Sequence, residues 1–205
     1  MSKRKPKIDR PPLTQFELEL LATPTEELKQ RTSVFSFDRD RFEARISTGE
    51  HWQQLLQAHL YYDHVITQLL SDALDNPDAV SLNRMGFAQK CQFILALNLL
   101  PAPLVSTVEA INGLRNKIAH DLNFEISDKD VRDIESCTPK YLRDIAETED
   151  DRKPGPLRFN ELLRVVLFQI EVLRQNNVLG RLTNLKSALH LRTVLDPTPG
   201  IVYKE

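Results

Sequence analysis

The sequence predicts an all-α protein, folded as an up-and-down helical bundle. Apolar residues recur every three or four positions over several stretches, and no segment shows the sustained apolar–polar alternation of a half-buried strand. Hydrophobic residues make up 41% of the 205-residue chain and charged residues 27%, a composition that supports one sizeable core. No internal repeat and no long heptad pattern occurs, so neither a solenoid nor a coiled coil is expected.

Composition along the chain predicts four regions. Residues 1–13 combine basic side chains with prolines and are expected to form a flexible arm. The basic residues of this arm are Lys3, Arg4, Lys5, Lys7 and Arg10. We expect residues 14–48 to form short helical elements packed on the main body, residues 49–190 to form the helical bundle, and residues 191–205 to form a tail.

Helices are predicted in order along these regions. Short helices are predicted in TQFELELLA, in TEELKQR and in DRDRFEAR. The stretch 50–74 lacks Pro and Gly and repeats apolar residues on one face, which predicts a long helix. DNPD at 75–78 ends this helix, a second helix begins at Gly86, and PAP at 101–103 starts a third. NFEISDKDVRDIESC follows as a loop and a weak helix.

The last part of the chain begins with a predicted break. TEDDRKPGP at 148–156 combines charge, proline and glycine. An apolar helix is predicted over 157–176, and a short helix around NLKSALHL follows it. The helix at 157–176 is expected to join the main bundle.

The third helix of the bundle contains an unusual stretch, INGLRNKIAHDLNF at 111–124. On a wheel of about 100° per residue, Arg115 falls inside an apolar arc. The apolar members of this arc are Leu104, Val108, Ile111, Leu114 and Ile118. A guanidinium among apolar groups loses hydration, at a cost of roughly several kcal/mol unless an anion or carbonyl groups replace the water. His59 and Asp63 interrupt the apolar face of the long helix, and we expect Asp63 to lie near Arg115.

A polar column runs along the neighbouring face of the same helix. Asn112, Asn116 and His120 recur at intervals of four residues. His120 and Arg115 are about 140° apart on the wheel, so their cooperation requires a bent arginine side chain or a second subunit. A structural interpretation is also open from the residues alone. In it, Arg115 and Asp63 form a buried ion pair, His120 lies near unpaired carbonyls at the helix end, and the asparagines make caps or interhelix bonds.

The run LRNKIAH, Leu114 to His120, resembles the R-x-x-x-x-H signature of HEPN domains. These are helical-bundle proteins that include metal-independent ribonucleases of toxin–antitoxin and phage-defence systems. The asparagine after the arginine and the alanine before the histidine match the commonest form of the signature. The helix order over residues 50–135 is also similar to that of HEPN domains. The resemblance implies that residues 49–190 form a HEPN-like bundle.

Carried over to this chain, the resemblance implies that Arg115 and His120 are catalytic, with Asn116 beside them. We expect Asn112 and Asp63 to support the same site. In active members, the ribose 2′-hydroxyl attacks the adjacent phosphate without a metal ion or another cofactor and leaves a cyclic phosphate. An imidazole suits the proton transfer, and a guanidinium suits the charge on the phosphorane.

The resemblance also implies partners for the chain. A homodimer would place the two motifs face to face across a cleft, RNA would be the substrate, and an antitoxin or regulatory protein would be a further partner. The alternative is a catalytically inactive HEPN scaffold or regulator that binds a protein or RNA through the same polar face. Many HEPN toxins carry a tyrosine two positions after the histidine, whereas this chain has Leu122.

Overall charge and targeting patterns limit the remaining possibilities. The net charge of -2 excludes nucleic-acid binding by overall charge alone, so phosphate contacts must be local. The basic arm, Arg84 and Lys90 are candidates for such contacts. No apolar segment follows the basic N-terminus, and no run of about 18 apolar residues occurs, so a cytoplasmic location without membrane association is expected.

Metal, thiol and nucleotide chemistry find little support in the sequence. His51, His59 and Asp63 share a face of the long helix, but the two histidines are two turns apart, so one metal ion would require a bend. The two cysteines form no C-x-x-C pair, and Cys91 stands among apolar residues, which favours a buried hydrophobe over a nucleophile. No P-loop pattern occurs. We therefore expect no metal site and no cofactor.

Overall fold

Helices dominate the computed structural model, which describes residues 11–121, 123–149 and 158–195. Over these ranges the chain forms nine α-helices, two short 3-10 turns and no strand, which confirms the all-α prediction. The helices are α1 (Gln15–Ala22), α2 (Thr25–Thr32), α3 (Arg39–Ile46), α4 (His51–Ala73), α5 (Phe87–Ala96), α6 (Ala102–His120), α7 (Asp128–Cys137), α8 (Lys140–Glu149) and α9 (Phe159–Leu195). Residues 1–10 of the predicted arm, 150–156 of the predicted break and 196–205 of the predicted tail lie outside the described residues.

Local hydrogen bonds explain where several helices begin. At α1, the Thr14 N–H donates to the Glu17 carboxylate over 2.7 Å, and the Glu17 N–H donates to the Thr14 hydroxyl over 3.2 Å. Ser127 and Asp130 form the same reciprocal pair at α7, over 3.0 and 3.3 Å. Gly49, ahead of α4, has a φ of 87°, a conformation that residues with a Cβ rarely adopt. These capping bonds and the conformation of Gly49 explain why α1, α7 and α4 begin where they do.

Most predicted helices are confirmed, and one helix was missed. The three short helices before residue 49 correspond to α1, α2 and α3, and the long helix predicted over 50–74 is α4. The second and third helices of the bundle are α5 and α6. No prediction corresponds to α8, whose buried residues Leu142 and Ala146 face the core.

The prediction of two separate helices after residue 157 is wrong, because α9 is one helix of 37 residues. Asn177 does not end it, since its side-chain amide donates to the carbonyl of Leu173 one turn earlier and to that of Leu99, each over 3.0 Å. Gly180 costs about 1 kcal/mol relative to alanine, too little to end a helix with buried residues on both sides. The segment 191–195, predicted as the start of the tail, is therefore the last turn of α9.

Contacts group the helices into two units. The larger unit, Ser33–Val178, contains α3 to α8 and the first part of α9, whereas the smaller unit contains α1, α2 and α9 from Leu179 onward. This grouping differs from the predicted boundaries at residues 48 and 190. The smaller unit has its own core, formed by Leu20, Leu28 and Leu189. The candidate functional residues all belong to the larger unit.

The core of the larger unit forms around α4, which packs against α3, α5 and α6. Tyr62 at its centre is fully buried, and its hydroxyl donates to the carbonyl of Leu163 in α9 over 2.8 Å. Other fully buried side chains are Leu55, Ile66, Leu69, Ile94, Leu104, Ile111 and Leu162. Each contributes roughly 1.5–3 kcal/mol of hydrophobic stabilisation, so this packing holds α4 and α6 side by side.

A buried carboxylate connects α9 to the chain ahead of α3. Glu171 is 0% exposed and accepts hydrogen bonds from the Ser36 N–H over 2.7 Å and from the Ser36 hydroxyl over 2.9 Å. Arg174 donates to Glu171 over 2.8 Å, to Asp72 of α4 over 2.6 Å and to the carbonyl of Val34 over 3.2 Å. The network therefore provides hydrogen-bond partners for charges that would otherwise be buried alone.

Replacing Arg174 with methionine should lower the free energy of unfolding of the larger unit by about 3–5 kcal/mol, because Glu171 would stay buried without its cationic partner. Urea unfolding followed by the fluorescence of Trp52, the single tryptophan, measures this loss. The control is Arg132→Met at an exposed position of α7, which should change the free energy by at most about 0.5 kcal/mol. Equal losses in the two variants would contradict the importance of the network.

Candidate functional site

The predicted site residues lie on the second half of α6, where the helix leaves the core. Leu114 is buried and anchors this part of the helix. Arg115 and Asn112 are half-buried, whereas Asn116 and His120 are exposed. The helix ends at His120. Arg115 is therefore partly desolvated, as its place in the apolar arc predicted.

Arg115 has no carboxylate partner among the described residues. Its Nη1 donates to the side-chain oxygen of Asn116 over 3.3 Å, a long bond to a neutral group that leaves the positive charge uncompensated. Partial burial makes such a charge costly, and charge-assisted hydrogen bonds to an anion would offset this cost. The geometry therefore favours anion binding at Arg115.

The expectation that Asp63 is the partner of Arg115 is wrong. Asp63 instead pairs with Lys90 of α5, with 2.6 Å between Oδ1 and Nζ. Lys90 is only 1% exposed, and it also donates to the Thr67 hydroxyl over 2.8 Å. A buried ammonium requires such partners, so the Asp63 carboxylate compensates Lys90. The same burial makes Lys90 unsuitable as a phosphate contact.

His59 of α4 lies against the polar column of α6. Its Nε2 is 3.0 Å from the side-chain oxygen of Asn112, and its ring centre is 4.6 Å from that of Phe87 at the start of α5. Because an amide oxygen can only accept, Nε2 carries the proton and Nδ1 is left as an acceptor. No other hydrogen bond of His59 occurs over the described ranges. The half-buried imidazole therefore keeps one basic nitrogen unpaired.

Burial lowers the pKa of His59 below its ordinary value. The hydrogen bond to Asn112 opposes this shift, and the positive charge of Arg115 adds to it. Asp63 raises the pKa and Lys90 lowers it, both with smaller effects. The imidazole of His59 is consequently neutral at pH 7.

His120 has a different environment at the end of α6. Its side chain is exposed and has no hydrogen-bond partner in the part of the chain that the structure describes. One turn earlier, Lys117 pairs with Asp130 of α7 over 3.4 Å, and its Nζ lies 5.5 Å from the ring centre of Phe124. The end of α6 is thus attached to α7, while the imidazole of His120 stays open to solvent.

The cysteine and histidine considered for thiol and metal chemistry make structural contacts instead. Cys91 is buried, which confirms the predicted burial, and burial raises the pKa of its thiol to about 12. The ring of His51 lies against Phe159, with 5.1 Å between the centres, rather than beside His59. Within the described ranges, no group of three or more His, Cys, Asp or Glu side chains could hold a metal ion. No helix there has the length and apolar character needed to span a bilayer.

Two features of this region were not predicted from the sequence: the burial of Lys90 and the contact between His59 and Asn112. A signal for the first was present, because Lys90 lies three residues after Phe87 and four before Ile94, on the apolar side of α5. No sequence signal identifies the second, because it depends on the register between α4 and α6. The structure therefore adds His59 to the residues around Arg115.

Comparisons with protein-family models, with curated proteins and with solved structures find no match for this chain.

Replacing Arg115 with alanine should raise the pKa of His59, because the removal of a nearby positive charge favours the imidazolium form. Replacing Asn112 with alanine should lower it, because the hydrogen bond to Asn112 favours that form. A ¹⁵N-histidine NMR titration of the parent and both variants measures these shifts. An unchanged pKa in the Arg115 variant would show that the two side chains are not neighbours.

The lowered pKa of His59 also predicts how stability depends on pH. The unfolded chain binds a proton at His59 near pH 6.5, whereas the folded protein binds it only at lower pH. The contribution of His59 to the free energy of unfolding should therefore be complete above about pH 6.5 and should decline as the pH falls through the folded-state pKa. Urea unfolding at several pH values, compared between the parent and His59→Gln, measures this contribution. Identical pH dependence in the two proteins would contradict it.

Proposed function

We propose that this protein is a metal-independent endoribonuclease of HEPN type that acts on single-stranded or loop RNA in the cytoplasm. The observation that supports this proposal most is the half-buried Arg115, whose charge is not compensated by any carboxylate in the described part of the chain. A phosphate of RNA supplies the missing negative charge and matches the geometry of a guanidinium.

Each site residue has a role in this reaction. Arg115 holds the scissile phosphate and stabilises the charge that develops on the phosphorane. Asn116, which accepts a hydrogen bond from Arg115, orients the guanidinium or the phosphate. His120 is exposed at the helix end and transfers a proton to or from the reacting oxygens.

The reaction is an internal transesterification. The 2′-oxygen loses its proton and forms a bond to phosphorus, while the bond from phosphorus to the 5′-oxygen breaks and the 5′-oxygen gains a proton. The products carry a 2′,3′-cyclic phosphate and a 5′-hydroxyl. Side chains handle both the protons and the charge, so this route requires no metal ion or other cofactor.

A homodimer completes the proposed site. Arg115 and His120 lie about 140° apart on α6, so the two residues of one chain point in different directions. Two copies related by a two-fold axis would place their α6 helices face to face, so that Arg115 of one chain serves the same phosphate as His120 of the other. In a toxin–antitoxin or phage-defence system, an antitoxin or regulatory protein would control access to this cleft.

A catalytically inactive HEPN scaffold, which binds a protein or RNA partner, is the second candidate. The observation that favours it is the exposure of apolar side chains on α4, where Leu60 is 62% exposed and Trp52 is 41% exposed. Apolar and aromatic side chains of this kind are typical of surfaces that protein partners cover. A cleavage assay separates this candidate from the ribonuclease.

The purified protein should cleave mixed RNA in the presence of EDTA and leave 2′,3′-cyclic phosphate ends. The Arg115→Ala, His120→Ala double variant should be slower by at least about 100-fold, because it lacks both the phosphate contact and a proton-transfer group. An Arg132→Ala variant, changed at an exposed position of α7, serves as the control and should retain the activity of the parent.

DNA of the same sequence should remain intact, because it lacks the attacking 2′-hydroxyl. Cleavage of RNA that persists in the double variant would exclude this site as its source. A parent protein that leaves RNA intact would instead favour the scaffold.

A further inference from the structure

His59 of α4 contacts α6 one turn before Arg115, through its hydrogen bond to Asn112. His59 is close enough to Arg115 for the guanidinium charge to lower its pKa, and it is bonded to Asn112, three residues before Arg115 on α6. His120 is about 140° away from Arg115 around α6. A phosphate bound to Arg115 would therefore lie near the part of α6 that His59 contacts through Asn112.

We propose that His59 is a further catalytic residue of the Arg115 site and that its Nδ1 accepts the proton of the ribose 2′-hydroxyl. This inference rests on the proposed ribonuclease function. It assigns the base to α4 and leaves His120 as the acid, so that each imidazole handles one of the two proton transfers.

The hydrogen bond to Asn112 prepares His59 for this role. The amide oxygen of Asn112 accepts from Nε2–H over 3.0 Å, which fixes the tautomer with a free lone pair on Nδ1. The ring of Phe87 lies 4.6 Å away and limits the orientations of the imidazole. Asn112 acts only through His59 and is therefore a positioning residue.

The charges around His59 suit a group that starts neutral and becomes positive. Arg115 and Lys90 disfavour the imidazolium before RNA binds, whereas Asp63 favours it. A bound phosphate would offset the charge of Arg115 and so raise the basicity of His59 when substrate is present. Lys90 is already paired with Asp63, which limits its effect. Substrate binding would thus make the base stronger at the moment it is required.

The proton balance of the step is complete. The proton of the 2′-hydroxyl passes to Nδ1 of His59 as the 2′-oxygen bonds to phosphorus. The bond from phosphorus to the 5′-oxygen breaks, and the 5′-oxygen takes a proton from His120. His59 then releases its proton to water and His120 regains one, so both imidazoles return to their initial states.

The first measurement is the rate of RNA cleavage by the parent, by His59→Gln and by His64→Gln over a range of pH. Glutamine can still donate a hydrogen bond to Asn112 but cannot accept the 2′-hydroxyl proton. His59→Gln should be slower by at least about 100-fold and should lose the fall in rate that the parent shows as the pH drops through the pKa of His59.

His64 provides the matched control, because it is an exposed histidine on the same helix that bonds to the Ser36 carbonyl over 2.9 Å. His64→Gln should keep the rate and pH profile of the parent. Far-UV circular dichroism confirms that both variants are folded. If His59→Gln cleaves RNA as fast as the parent, the inference is overturned while the ribonuclease function stands.

The second measurement does not depend on cleavage. A 2′-O-methyl RNA oligonucleotide, which cannot react, is added to ¹⁵N-histidine-labelled protein, and the His59 signals are followed by NMR. We expect the Nε2–H tautomer in the free protein, a rise in the His59 pKa with RNA, and no such rise in Arg115→Ala.

The two measurements fail in different ways. An RNA-dependent rise without cleavage by the parent would refute the ribonuclease function and keep His59 at the RNA phosphate. His59 signals that do not respond to bound RNA would overturn the placement of His59 at the site, whatever the cleavage result.

Discussion

The ion pair between Lys90 and Asp63 determines which charges are available around α6. Burial of an ammonium group costs several kcal/mol unless a carboxylate and further hydrogen bonds compensate it, and Asp63 and Thr67 provide both at 2.6 and 2.8 Å. The pair also joins α5 to α4, the helix against which α6 packs. Because Asp63 is committed to Lys90, Arg115 remains without a carboxylate partner in the described part of the chain. One structural interaction thus leaves a neighbouring cation available for a ligand.

The packing of α4 in the core determines where His59 and Asp63 lie. Sites on packed helices hold their side chains more precisely than sites on loops, and α4 contributes fully buried residues along most of its length. His59 and Asp63 project from this helix one turn apart, the first toward Asn112 and the second toward Lys90. The contacts of His59 and Asp63 are therefore held by packed helices.

The sequence predicted most of the helices because they depend on local patterns. Apolar periodicity, proline positions and capping residues located α1 to α7, since each pattern lies within one segment. The continuity of α9 was missed because Asn177 and Gly180 resemble a helix end, whereas the carbonyls of Leu173 and Leu99 that bind Asn177 become apparent only in the structure. The helix α8 was missed because its apolar residues are few and its sequence is largely polar.

In the candidate site too, features of one helix could be predicted from the sequence, whereas contacts between helices could not. Arg115 and His120 could be identified from a sequence motif and from their positions on the helical wheel of α6. The partner of Asp63 could not, because a helical wheel gives the direction of a side chain and not the residue it meets on another helix. The wheel also gave no reason to pair His59 with Asn112, which are 53 positions apart in the chain. Contacts between helices are thus where sequence patterns lose their predictive power in this protein.

The network around Glu171 has a consequence for the order of folding. The core of the smaller unit joins Leu20 and Leu28 to Leu189, so its formation in an unfolded chain would close a loop of roughly 160 residues against conformational entropy. Glu171 and Arg174 bind Ser36 and Val34, and this brings the two ends of the larger unit together. Once that unit has folded, most of the entropic cost of the long loop has been met. The larger unit should therefore fold before the smaller one.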